Sequence, residues 1–156
     1  MTRATLTAIA AAFCILTACN NNVYYSEHID VDEDGWNMYD EKHFNVDVDD
    51  IMHTFNFYVD LRNTNDYPYS NTFLFIKTTF PDGGIALDTM ECPLANPDGQ
   101  WYGKQSGKYI DNRYFLRKNV IFPDMGKYTF SIAQATRDTN IMGIKDVGIV
   151  IEYATK

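Results

Sequence analysis

The clearest pattern in the chain is the alternation of apolar and polar residues over positions 55–62, whose sequence is FNFYVDLR. Apolar side chains at every second position predict a β-strand with one buried face and one solvated face. Residues 73–76, Phe-Leu-Phe-Ile, form an unbroken apolar run, which is typical of a central strand buried on both faces. The same reasoning predicts further strands over residues 44–48, 85–90, 114–122, 128–133 and 147–153.

These predicted strands are short, and turn signals separate them, such as PDGG at residues 81–84 and PDMG at residues 123–126. The chain shows no sustained apolar period of about 3.6 residues at helix length. The pattern therefore predicts an all-β protein, a single antiparallel β-sandwich of about seven to eight strands with a jelly-roll or Ig-like arrangement. We predict that this domain covers residues 29–156, and the 15% aromatic content agrees with a sheet-rich core.

The segment NTNDYPYSN at residues 63–71 separates two of the predicted strands and concentrates their polar residues. Loops on a rigid β scaffold often carry binding residues, and Tyr side chains suit protein contacts. An alternative interpretation is structural: one of the two tyrosines closes the core, and the flanking asparagines bond the loop's own backbone. Under the first interpretation, the predicted interaction loop consists of Asn63, Asp66, Tyr67, Pro68, Tyr69 and Asn71.

The N-terminus has the plan of a secretory signal peptide, with Arg3 followed by an apolar run over residues 6–16. The run is shorter than the roughly 20 residues of a transmembrane helix. The tetrad LTAC that follows looks like a bacterial lipobox, in which Cys19 is acylated with fatty acids such as palmitate and becomes the new N-terminus. An ordinary signal peptide with a chance cysteine is the alternative. We therefore predict a signal peptide over residues 1–18 and a lipid-anchored tether over residues 19–28.

Net charge and cysteine content narrow the classes of function. The formal charge of −8 argues against binding nucleic acid through phosphate contacts. Three cysteines are present, and two of them lie in the signal peptide or at the lipidation site. The third, Cys92, has no partner for an internal disulfide and is predicted to be a buried apolar residue rather than a catalytic thiol.

The acidic segment that precedes the first predicted strand fits the pattern D-x-D-x-D-G-x5-E of a calcium loop. Alternating carboxylates would supply oxygen ligands, and Gly35 would permit the sharp turn. Asn37 stands where such loops place an aliphatic anchor, and neither flank has a helical pattern, so a solvated acidic turn is the alternative. The candidate calcium ligands are Asp30, Asp32, Asp34 and Glu41.

The chain also resembles a known family over nearly its whole mature length. The resembling segments include LRN at 61–63, DYPYSN at 66–71, FPDG at 80–83, GKYTFSI at 126–132 and DVGI at 146–149. On these residues the chain is similar to the gliding motility lipoprotein GldH family of Bacteroidetes. The resemblance implies an envelope lipoprotein associated with gliding and with the linked protein secretion machinery, and it implies no enzymatic reaction.

The sequence supports no enzyme, because its three histidines are dispersed and its serines lack the context of an activated nucleophile. We expect a non-catalytic envelope lipoprotein that needs no cofactor and acts through contacts with envelope proteins. By resemblance to lipoprotein sorting rules, Asn20 and the absence of an acidic cluster after Cys19 favour the outer membrane, facing the periplasm. The alternative is a ligand-binding β-sandwich module, with an envelope glycan as ligand and calcium as a structural ion.

Overall fold

A computed structural model of the protein describes residues 22–155. The signal peptide predicted over residues 1–18 and the lipidation site predicted at Cys19 lie outside the described residues. Residues 22–155 form strands and connecting loops and contain no helix, hence none that could cross a membrane.

The strands follow one another along the chain with short connections. Their bounds are β1 (Val23–Asp30), β2 (Trp36–Asn37), β3 (Lys42–Val48), β4 (Phe55–Thr64), β5 (Asn71–Thr79), β6 (Ile85–Pro93), β7 (Lys104–Ser106), β8 (Tyr109–Val120), β9 (Gly126–Gln134), β10 (Asn140–Ile141) and β11 (Ile144–Tyr153).

Two antiparallel sheets make up the domain. The five-stranded sheet has the order β1-β11-β4-β8-β7, the four-stranded sheet has the order β3-β9-β5-β6, and β2 pairs with β10 in a small ribbon. Among the eight longer strands only β5 and β6 are successive in the same sheet, since every other connection crosses between the layers. This order is that of a jelly roll. The predicted β-sandwich is confirmed, and of its two alternative arrangements the structure adopts the jelly roll.

The core lies between the sheets and consists of the inward-facing side chains of both. In β4 the buried and half-buried positions alternate along the whole strand, as the sequence pattern predicts. β11 lies between β1 and β4 and is buried over most of its length. On its outer side Gly148 makes room for the imidazole of His28 from β1, because a Cβ at this position would collide with that ring.

The first strand differs from the prediction of a tether over residues 19–28. β1 occupies residues 23–30 and pairs antiparallel with β11, from Val23 opposite Glu152 to Asp30 opposite Asp146. Its side chains are mostly exposed or half-buried and show no regular alternation, so the sequence carried no signal for it. Backbone pairing with the last strand holds it in place, and the tether prediction is therefore wrong for residues 23–28.

The strand β5 is central in its sheet, as predicted, but only one of its faces is buried. Leu74 and Ile76 point into the core and are fully buried. Phe73 and Phe75 point the other way and remain 38% and 57% exposed. The prediction that both faces are buried is wrong, because no second layer covers the outer face of the four-stranded sheet in the described part of the chain.

Candidate interaction surface

The loop predicted to bind a partner connects the two layers of the sandwich. β4 in the five-stranded sheet ends at Thr64, and β5 in the four-stranded sheet begins at Asn71. The intervening residues 65–70 therefore cross from one sheet to the other. Crossing between layers accounts for a connection longer than a hairpin turn.

Two of the predicted interaction residues belong to the interior. Tyr67 is 4% exposed, and its hydroxyl donates to the backbone oxygen of Asn71 at 3.1 Å. Burial raises the pKa of the Tyr67 phenol to about 12. Asn63 is fully buried, and its Oδ1 accepts a hydrogen bond of 2.9 Å from Nδ2 of Asn112. Neither side chain faces a partner, so the structural interpretation of the loop holds for both.

The rest of the loop is accessible. Asp66, Pro68 and Tyr69 are exposed, and the Tyr69 hydroxyl donates to Oδ2 of Asp138 at 2.6 Å. Asn71 is half-buried, and its amide donates to a carboxylate oxygen of Glu91 at 2.8 Å. The part of the loop that can contact another molecule is therefore centred on Tyr69.

An exposed apolar surface begins next to Tyr69 and continues along the outer face of the four-stranded sheet. Tyr69 and Phe73 line the same open pocket, of about 420 Å³. Further along, Phe75 and Leu87 line a neighbouring pocket, since Leu87 lies diagonally across from Phe75 in the β5–β6 pair. We call this surface the apolar strip; it consists of Phe73, Phe75, Ile85 and Leu87.

The sequence analysis missed the apolar strip. Ile85 and Leu87 are 63% and 77% exposed, and they sit at alternate positions of β6, which is a visible sequence signal. The pattern does not say which face of the sheet they occupy. That depends on the pairing of β6 with β5, where Leu87 is opposite Lys77 and Ile85 is opposite Thr79.

The outer face of the five-stranded sheet has the opposite character, and we call it the charged face. Nε and Nη2 of Arg113 donate to the two carboxylate oxygens of Asp60 at 2.7 and 2.8 Å. Nη1 of Arg113 donates to Glu152 at 3.1 Å, and Nε2 of His28 lies 3.1 Å from Oδ2 of Asp60. A bidentate pair of this kind fixes the relative orientation of the guanidinium and carboxylate groups.

A second set of charges on this face centres on Arg62. Its Nε donates to Oδ1 of Asp111 at 2.6 Å, and its Nη1 lies 3.3 Å from Oδ2 of Asp146. Burial raises the pKa of Asp146, while the Arg62 guanidinium acts in the opposite direction. Each arginine of the charged face therefore contacts two carboxylates, so the charged groups of this face have partners within the domain.

The candidate calcium ligands do not form a cage. Oδ2 of Asp30 lies 3.4 Å from Nζ of Lys145, and Glu41 accepts a hydrogen bond of 2.8 Å from Nζ of Lys77. Across residues 22–155 no group of three or more His, Cys, Asp or Glu side chains could hold a metal ion. Asp32 and Asp34 lie exposed in a turn.

The turn is fixed by an aromatic anchor instead. Trp36 is fully buried, and its indole N–H donates to the backbone oxygen of Asp40 at 2.8 Å. The segment therefore behaves as a solvated acidic turn attached to the core.

Cys92 is buried in the core, as predicted from the sequence. Burial raises the pKa of its thiol to about 12, so the thiol stays protonated near neutral pH. A protonated, enclosed thiol is not a nucleophile.

The fold and its surfaces define a jelly-roll domain with an exposed apolar strip on one side and a face of internally paired charges on the other. Family comparison matches residues 23–151 to the GldH lipoprotein family. The chain is 32% identical to a gliding motility lipoprotein GldH homolog of Christiangramia forsetii, over 88% of each chain. It is 31% identical to the gliding motility lipoprotein GldH of Flavobacterium johnsoniae, over 90% of this chain and 91% of the relative. The chain belongs to the GldH lipoprotein family, which confirms the resemblance found in the sequence.

Proposed function

We propose that the protein is a non-catalytic envelope lipoprotein of a gliding or linked secretion machinery, and that it acts through protein–protein contacts. Membership of the GldH lipoprotein family supports the envelope setting. The observation that carries the contact role is the apolar strip, with Phe75 and Leu87 57% and 77% exposed on one face of a sheet.

The chemistry of the strip suits a protein partner. Contiguous exposed apolar surface on a soluble domain marks interaction sites, and aromatic side chains supply a large share of interface energy. Two Phe side chains stand on a regular strand, so little side-chain or backbone ordering is needed on binding. Tyr69 extends the surface with a hydroxyl that tolerates water. The exposed loop residues Asp66 and Pro68 would form its polar rim.

We further propose that Cys19 carries the lipid and that the domain lies at the outer membrane, facing the periplasm. β1 begins at Val23, four positions after Cys19. Four extended residues span at most about 14 Å, so the domain would sit directly on the membrane surface. Replacing Cys19 with Ala should release the protein from the membrane fraction or leave it unprocessed. A cleaved, unmodified N-terminus in the mass spectrum of the wild type would contradict the anchor.

Site-directed photo-crosslinking in intact cells tests the contact role. A photoreactive amino acid at position 75 or 87 should capture a defined set of envelope proteins, and Phe75→Ser should abolish capture from position 87. The matched control is Phe115 on the charged face, an aromatic of similar exposure (47%) whose ring stacks on Tyr58 at 4.5 Å. Phe115→Ser should leave capture intact.

Two results would contradict the proposal. Equal loss of capture in Phe75→Ser and Phe115→Ser would show that capture does not depend specifically on the apolar strip. Binding of the domain to an envelope glycan, with no protein captured at positions 75 and 87, would favour the ligand-binding alternative.

A further inference from the structure

The two sheets diverge along one side of the sandwich, where each ends in an unpaired strand edge. β6 is the last strand of the four-stranded sheet, and the part of β8 beyond its short pairing with β7 forms an edge of the five-stranded sheet. Between these edges lies a cavity of about 270 Å³. It is separate from the apolar strip, which faces outward on the other side of β6.

Aromatic rings form the inner wall of this cavity. The rings of Phe57 and Phe122 have centroids 5.2 Å apart, and those of Phe122 and Tyr128 lie 5.0 Å apart. Phe130 contacts Phe57 at 5.8 Å and continues the wall. These four residues are all nearly fully buried, so the wall is part of the packed core and is formed before any ligand arrives.

Four polar side chains line the cavity: Thr78, Asp88, Arg117 and Tyr128. Nη2 of Arg117 on β8 lies 2.5 Å from Oδ1 of Asp88 on β6, and this ion pair spans the gap between the sheets. The Tyr128 hydroxyl is already engaged with the backbone of Asp124, at 3.0 Å as donor. The interior therefore offers mainly apolar surface, and an ion pair stands at the entrance.

We propose that this cavity binds a single fatty acyl chain, with an anionic head group at Arg117. An acyl chain has no groups that form hydrogen bonds, and this agrees with a cavity wall made of aromatic rings. A peptide strand added to the edge of β6 or β8 would extend a sheet beside the cavity, and the aromatic wall itself has no partners for backbone N–H and C=O groups. An anionic head would accept from the N–H groups of Arg117 that Asp88 does not use, because Asp88 contacts only Nη2 of the guanidinium group.

The position of the cavity favours a lipid source. Tyr24 near the start of β1 packs against Phe122 of the cavity wall, with ring centroids 6.3 Å apart. The chain thus enters the domain one aromatic ring away from the cavity. If the domain is anchored through Cys19, as proposed above, that end faces the membrane. Acyl chains with an anionic head group can reach it from membrane lipids or as free fatty acids, whereas the acyl chains of a lipidated Cys19 would lack such a head.

Titration of the purified full-length lipoprotein in an amphipathic polymer with sodium decanoate tests the site. Decanoate should raise the melting temperature in a saturable manner, because a ligand that binds only the folded state stabilises it by mass action. Ala86→Phe fills the cavity from β6 and should abolish the rise. Thr89→Phe adds the same ring to the outer face of the same strand and should leave the rise unchanged.

The head group is tested with decanol, which has the same chain and no charge. Decanol should bind about tenfold more weakly than decanoate, a difference of about 1.4 kcal/mol. Arg117→Gln should remove that difference while chain binding persists, and this readout does not depend on the Ala86 variant folding. The absence of a saturable shift in the wild type, or a normal shift in Ala86→Phe, would overturn the proposal.

A photoreactive residue at position 116, at the rim of the cavity, distinguishes the occupants in cells. A product with the added mass of a phospholipid or fatty acid supports the proposal, and an internal crosslink to the N-terminal lipid, which has no anionic head group, would overturn it. A protein adduct at this position would overturn the acyl-chain proposal without affecting the contacts proposed for the apolar strip.

Discussion

The two outer faces of this sandwich differ in whether their side chains have contact partners within the domain. On the charged face Arg113 is held by both carboxylate oxygens of Asp60, and Arg62 by Asp111. On the other side Phe75 and Leu87 stand in solvent. One face finds its partners within the domain, while the other leaves apolar surface uncovered.

The two faces therefore have different expected roles: the charged face contributes to stability, and the apolar strip is proposed to bind a partner. Charges that are paired within the domain hold the side chains of the sheet in place and already have contact partners. Uncovered apolar side chains add almost nothing to folding, because they are exposed in both the folded and unfolded states. Substitutions on the charged face should therefore change stability, and substitutions on the apolar strip should change binding.

The largest effect is expected where the apolar surface meets the core. Tyr67→Ala removes a buried ring and its hydrogen bond to Asn71, and should lower the free energy of unfolding by about 3–5 kcal/mol. Tyr69→Ala, at the exposed neighbour, should change it by less than about 0.5 kcal/mol. Urea denaturation measures both values. Equal losses of unfolding free energy would show that Tyr69 also supports the core, and Tyr69 would then no longer count as part of the proposed contact surface.

A smaller effect is expected on the charged face. Asp60→Asn keeps the shape of the side chain but deprives Arg113 and His28 of their shared carboxylate. Because Arg113 is close to half exposed, the loss should be about 1 kcal/mol. Asp47→Asn, an exposed position on β3, serves as control. If both variants unfold at the same urea concentration, the pairing on this face does not contribute to stability.

Protonation of Asp146 should give a pH-dependent effect. Burial raises its pKa in the folded protein, so the folded state holds the proton more tightly than the unfolded chain. This contribution is fully present below the ordinary Asp pKa of about 3.9 and is lost as the pH rises through the higher folded value. The stability of the wild type relative to Asp146→Asn should therefore fall as the pH rises from below about 3.9 through the higher folded pKa. Parallel stability curves for the two proteins would contradict the assignment.

The smallest effect on folding is expected at the apolar strip. Phe75→Ser should change the free energy of unfolding by less than about 0.5 kcal/mol, because the ring is already more than half exposed. Leu74→Ala, one residue earlier on the core side of β5, should lower it by about 2–5 kcal/mol. Thermal or urea unfolding of the pair measures the contrast. A large loss in Phe75→Ser would mean that the strip supports the fold rather than a partner.

The sequence predicted those elements whose two faces have different environments. β4 lies between core and solvent, so burial alternates along it and the pattern is visible locally. β1 could not be predicted, since its order comes from pairing with β11, more than a hundred residues later. For the same reason the predicted tether extended too far into the domain.

The candidate site was harder to predict because its members come together through pairing register. The loop at residues 63–71 was recognised, yet whether Tyr67 or Tyr69 faces inward depends on how the chain crosses between sheets. The apolar strip joins residues of β5 and β6 on a face that only the register defines. The cavity wall joins rings from β4 and β9 with Phe122, which no local pattern could bring together.

The pairing of the first strand with the last has a mechanical consequence. Hydrogen bonds join β1 to β11 along its full length, from Val23 to Asp30. If the protein is anchored through Cys19, as proposed, a pull on that anchor acts along β1, nearly perpendicular to these bonds. All of them then bear the load together in shear, instead of opening one after another like a zipper. Under the proposed anchoring, the domain is attached through a strand pairing that is loaded in shear.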